Sequence, residues 1–188
     1  MTLENQSYII TSAVESKPDL HQFNIVINPN QTNTNDFYMA RIFQITPRHG
    51  KCVSLAVVDL LCAGYEPYAV LENHLLTMVQ FQSIIRIDLQ NYVYEYIECD
   101  NMGGLHEIHA IEDGYILWGE GDIFRYDREL HRLWQFMGRD ILVSLHAAKH
   151  FWIEEDRIHC RDFLGWHYIL DLNGKLLQSF REFAQDDP

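Results

Sequence analysis

The sequence predicts an all-β protein built from antiparallel four-stranded meander repeats, and three observations carry that expectation. Short apolar runs recur at a nearly regular interval along the last two thirds of the 188 residues. Within them, β-branched and aromatic residues alternate with polar ones, as in Ile123-Phe124-Arg125-Tyr126-Asp127 and Tyr92-Val93-Tyr94-Glu95-Tyr96-Ile97, which is the period of a half-buried strand. Brief polar breaks, Gly119 to Asp122 and Glu154 to Arg157, have the length of hairpin turns.

The repeat is read by setting "HLLTMVQFQSIIRIDL" (74–89) above "GYILWGEGDIFRYDREL" (114–130) and "FWIEEDRIHCRDFLG" (151–165). Ile84, Ile123 and Ile158 then align, as do Asp88, Asp127 and Asp162, at spacings of 39 and 35 residues. Each unit opens on an apolar stretch, "YAVLEN" (68–73), "LHEIHAIED" (105–113) and "ILVSLHAAK" (141–149). Each closes on another, "YVYEYIE", "LHRLWQF" and "WHYILDL". The recurrent aspartates are expected to cap turns with their side-chain oxygens. Asn173-Gly174 predicts a type I′ turn, which needs positive φ at both central residues.

Four-stranded meanders every 35 to 40 residues resemble the blades of a β-propeller, and "YILDLNGKLL" (168–177) is similar to the outer hairpin of such repeats. The resemblance covers residues 65–180, in units of about 65–98, 105–136 and 141–180, and no Trp-Asp or Gly-His pair recurs to name a family. An N-terminal β segment, 1–61, offers four more runs ("SYIITSAV", "FNIVIN", "FYMARIFQIT", "CVSLAVVDLL") as a further meander. A propeller-like ring, an open twisted stack and a two-sheet sandwich all satisfy this pattern. The open stack or sandwich is preferred, because the N-terminal segment does not align with the other units. Only "VSLAVVDLLCAGY" (53–65) competes as helix. "NPNQTNTND" (28–36) reads as an exposed loop, and the tail "REFAQDDP" as frayed at its end.

Length favours a single domain over 1–188 with one sizeable core. The composition, 47% hydrophobic and 13% aromatic, argues for folding throughout. A formal charge of −13, from 27 acids against 14 Lys and Arg, repels phosphate backbones and excludes nucleic acid as a partner. The N-terminus lacks the pattern of a secretory signal and no apolar run is long enough to span a bilayer, so no membrane is expected and a cytoplasmic location is. Cys52, Cys62, Cys99 and Cys160 contain no Cys-x-x-Cys pair and read as reduced core or sheet residues.

Seven of the ten histidines fall between residues 106 and 167. On a strand, however, His146 and His150 stand about 13 Å apart, while His106 and His109 point to opposite faces. A cross-repeat metal site using His109 and His146 stays as a minor alternative. Glu154, Glu155 and Asp156 lie on a hairpin tip, without the enclosure that an acid and base pair requires. Asp171-x-Asn173-Gly174 lacks the rest of a calcium loop, and no Gly-x-Ser-x-Gly, Walker or dinucleotide motif is present.

The expectation that follows is a non-enzymatic, cytoplasmic interaction module, with no cofactor, no catalytic residue and no metal ligand. Its acidic surface would recognise a basic partner protein in a toxin-neutralising or regulatory role. Candidate binding residues are Trp118, Trp134, Trp152, Trp166, Glu154 and Glu155. Two alternatives stand beside it: a carbohydrate or small-ligand binder using clustered aromatics, and a metal-dependent enzyme using a histidine cluster.

Overall fold

The computed structural model describes residues 1–62, 65–101 and 103–182. These form seventeen strands and a single 3-10 turn, Leu20–Gln22. Two compact units emerge: Met1–Cys99 with His106–Ile108, and Asp100–Leu105 with the residues from His109 onward.

In the first unit, β1 (Thr2–Glu4), β2 (Tyr8–Ser16), β3 (Ile25–Ile27), β4 (Met39–Pro47) and β5 (Val53–Asp59) form a sheet in the order β1-β2-β4-β5-β3. This is not the expected fourth meander, because β3 runs parallel to β5 with Ile25 opposite Leu55. Asn24 fixes that pairing: its side-chain oxygen accepts from the backbone N–H of Ser54 at 2.8 Å and from the Ser54 hydroxyl at 2.9 Å. The polar stretch after β3 supplies the length needed to bring the chain round to β4. The helix that competes over 53–65 gives way to β5, whose Leu55, Ala56, Val57 and Val58 are all fully buried. A strand covered on both faces reads as a continuous apolar run rather than as alternation. The same unit holds β6 (Ala69–Glu72), β7 (Leu75–Gln80), β8 (Ser83–Asp88) and β9 (Tyr94–Glu98), hydrogen-bonded in sequential order.

Two further antiparallel meanders follow. One comprises β10 (Leu105–Ile111), β11 (Gly114–Gly119), β12 (Asp122–Asp127) and β13 (Arg132–Met137); the other comprises β14 (Phe151–Glu154), β15 (Arg157–Arg161), β16 (Trp166–Asp171) and β17 (Leu176–Arg181). The chain is therefore all-β with propeller-like four-stranded sheets. Buried rings join these two sheets: Trp118 stacks on Phe151 with centroids 5.8 Å apart and planes 4° off parallel, each buried ring being worth about 1.5–3 kcal/mol.

The third repeat is displaced by one strand from its expected register. "ILVSLHAAK" forms no strand. Leu142 is fully buried there, its backbone N–H donates to the Glu120 carbonyl, and the Ser144 N–H donates to His150 Nδ1 at 3.0 Å. Donors met in this way leave the segment without a ladder. Ile158 consequently sits on a second strand, whereas Ile84 and Ile123 sit on third strands. The aspartates ending the third strands are Asp88, Asp127 and Asp171, and each accepts a backbone N–H from the following turn: Gln90, His131, and both Asn173 and Lys175. Asp162 caps a different turn, between β15 and β16, where it accepts the Trp166 N–H at 2.8 Å and the Tyr168 hydroxyl at 2.6 Å. The tail from residue 183 lies outside the described residues.

Candidate interaction surface of the second unit

Three hairpins of this unit bring four acids to one cleft. It is lined by Glu112 and Asp113 from the β10–β11 turn, Asp156 from the β14–β15 turn, and Asp171, Leu172 and Asn173 from the β16–β17 turn. Arg125, whose side chain is nearly buried, forms an ion pair with Asp113 at 2.5 Å and donates to the Leu172 carbonyl at 2.7 Å. Trp134 donates its indole N–H to the same carbonyl at 3.1 Å. Arg128 donates to the carbonyls of Ile111 and Glu112. Arg125 and Arg128 thus tie the turns together, Arg125 pairing with one of the lining carboxylates, Asp113.

Glu155 and Asp156 occupy the central positions of the β14–β15 turn, with φ of 49° and 59°. Asn and Gly tolerate that conformation, but a glutamate there is strained. Aspartate also tolerates it, so Glu155 alone is out of place in this turn, and such an outlier motivates a functional hypothesis. Glu154 and Glu155 are both exposed beside the cleft.

The four tryptophans have different fates. Trp118 is 1% exposed and donates to the Leu142 carbonyl at 3.1 Å. Trp134 is half-buried against the cleft turn, and Trp166 is half-buried with the Arg139 guanidinium 3.6 Å from its ring centre. Trp152, also half-buried, stacks on His159 with centroids 4.7 Å apart.

No family model matches the sequence, and no curated protein matches it. Among solved structures, the chain is similar to the computationally designed Ika8 protein, with a TM-score of 0.51 at 7% identity over 79% of this chain and 47% of that one. It is also similar to Raptor from Chaetomium thermophilum, with a TM-score of 0.51 at 13% identity over 79% of this chain and 15% of that one. The shared feature is an all-β fold with propeller-like four-stranded antiparallel sheets. At such identities the likeness concerns the fold alone, and this chain spans less than half the length of either structure.

Sequence reading missed a second grouping in this unit. On one face of the β14–β17 sheet, Trp152 lies directly opposite His159, Arg161 opposite His167, and His167 opposite Phe180. His159 Nδ1 lies 3.1 Å from His167 Nε2. Burial lowers the pKa of both rings from the ordinary 6.5, with Arg161 among the cations adding to the effect at each. Arg161 bonds both carboxylate oxygens of Glu182 and so lowers that carboxyl's pKa. Alternation within each strand could not pair them, because the face that His159 and His167 share depends on the register set by the turn over 162–165, which places Arg161 opposite His167. Among the described residues, no three of His, Cys, Asp and Glu come together as a metal site, and that includes any grouping around His109 and His146.

Proposed function

We propose that the protein is a non-enzymatic, cytoplasmic interaction module whose second unit receives a basic segment of a partner protein in the cleft between Glu112, Asp113, Asp156 and Asp171. The observation that carries this reading is the strained acidic turn at Glu155-Asp156 beside a cleft whose rim is carboxylate. A formal charge of −13 favours encounter with a cation-rich partner and makes association sensitive to salt. A regulatory or toxin-neutralising role is one use of such a surface.

The test is titration of a Lys/Arg-rich peptide against the full chain, followed by Trp134 fluorescence at low and moderate salt. Affinity is expected to fall steeply as salt rises, and to fall further when Glu112, Glu155 and Asp156 are replaced together by their amides. Salt-independent binding, or unchanged affinity in the triple variant, defeats the proposal.

A further inference from the structure

The imidazole pair on the β15–β16 face stands apart from the acidic cleft and has a chemistry of its own. At 3.1 Å, His159 Nδ1 and His167 Nε2 are within hydrogen-bonding distance of each other, so one N–H faces one lone pair. The same separation suits two donors on one ion: nitrogens each about 2.0–2.1 Å from a shared zinc and this far apart subtend about 98° at the metal.

The other nitrogen of His167, Nδ1, faces Glu182 Oε2 at 3.5 Å. Arg161 grips Glu182 through two bonds of 2.6 and 3.0 Å. A carboxylate this near the far nitrogen favours the proton there and the lone pair on Nε2, which is how metal-binding imidazoles are commonly oriented once the carboxylate closes to bonding distance. Ring packing restricts both side chains: Trp152 stacks on His159 with planes 10° off parallel, and Phe180 lies 5.0 Å from His167 between centroids.

We propose that His159 Nδ1 and His167 Nε2 form a two-imidazole chelate for a divalent first-row transition ion of the zinc and nickel class, with Glu182 as the positioning carboxylate. Imidazole donors suit zinc, copper and nickel rather than calcium or magnesium. Occupancy requires His159 to carry its proton on Nε2 and His167 on Nδ1, and both rings to turn so that their lone pairs, which in the hydrogen-bonded pair lie near the N···N line, converge on the ion. The remaining coordination positions stay open to water or to a donor from a bound molecule. Lys149 and Arg161 both lie over the Trp152 ring beside the pair. Their charge keeps affinity below that of a closed structural zinc site.

Untagged full-length chain is titrated calorimetrically with zinc chloride and, separately, nickel chloride. One ion per chain is expected. Binding should be abolished in His159→Gln and His167→Gln, about 10-fold or more weaker in Glu182→Gln, and unchanged in His131→Gln. Circular dichroism checks that each variant is folded. If the histidine variants do not fold, cobalt added to the unmodified chain provides the second measurement, with paramagnetic shifts expected at Trp152 and Phe180. No heat at millimolar metal, binding in either histidine variant as tight as in the unmodified chain, or cobalt shifts confined to other residues overturns the proposal. Since the acidic cleft contributes no ligand, none of these outcomes bears on peptide binding there.

Discussion

Asp162 shows how one side chain closes a corner between strands. It is fully buried, and it takes the Trp166 N–H and the Tyr168 hydroxyl, while that hydroxyl accepts the Arg139 backbone N–H at 3.0 Å. Asp162→Ala would strand two buried donors, at a cost of about 2–3 kcal/mol, and Asp162→Asn should cost less because its amide oxygen still accepts. Urea unfolding of both variants checks this, and a loss under about 0.5 kcal/mol for the alanine variant would refute it. Glu155 and Asp156 predict the opposite direction. Replacing them with Asn and Gly should stabilise the chain by about 1 kcal/mol in thermal unfolding, while weakening any basic peptide in the cleft.

Elements follow from such local choices, and the turn after β16 shows how. Asn173-Gly174 does not form the expected type I′ turn, because only Gly174 has positive φ, at 80°. The loop instead spans three residues, with Asp171 accepting from Asn173 and Lys175, and a register shift follows at Ile169/Leu170. An aspartate followed by a type I turn and a left-handed residue gives this bulged geometry. The equivalent turn after β12 places Leu130 at φ 63°, where burial of its side chain to 3% exposure offsets the backbone cost. Gly174→Ala should be strongly destabilising, since its new Cβ would lie 2.6 Å from the Trp134 ring in addition to the φ penalty. A melting temperature within a degree of the unmodified chain would show that Trp134 does not pack on this turn.

For the molecule as a whole, burial ranks the four thiols. Cys52 is exposed and outside any strand, unlike the core or sheet position expected of it, whereas Cys62 is half-buried and Cys99 and Cys160 are buried. Burial pushes the Cys62 thiol up from 9.0 to about 11 and raises Cys160 as well. Because the thiolate is the reactive form, a raised pKa suppresses reaction at pH 8, by about a hundredfold at Cys62. Its rate should climb tenfold per pH unit towards 11. Ellman titration should show one fast thiol that disappears in Cys52→Ser, then Cys62, with Cys99 and Cys160 reacting only on unfolding. Simultaneous reaction of all four would contradict this ranking.

By itself, the sequence determined that the chain is β throughout, that four-stranded meanders recur, and that aspartates close their turns. These properties depend on alternation, turn chemistry and spacing, which act over a few residues. Only the tertiary structure decided that β3 joins β5 in parallel, that 141–149 packs as loop, that Ile158 belongs to a second strand, and that acids from three turns share a cleft. It also brought His159 and His167 within bonding distance. Each of these depends on which distant backbone groups find partners across strands, and local pattern leaves that choice open because one apolar run satisfies several registers equally.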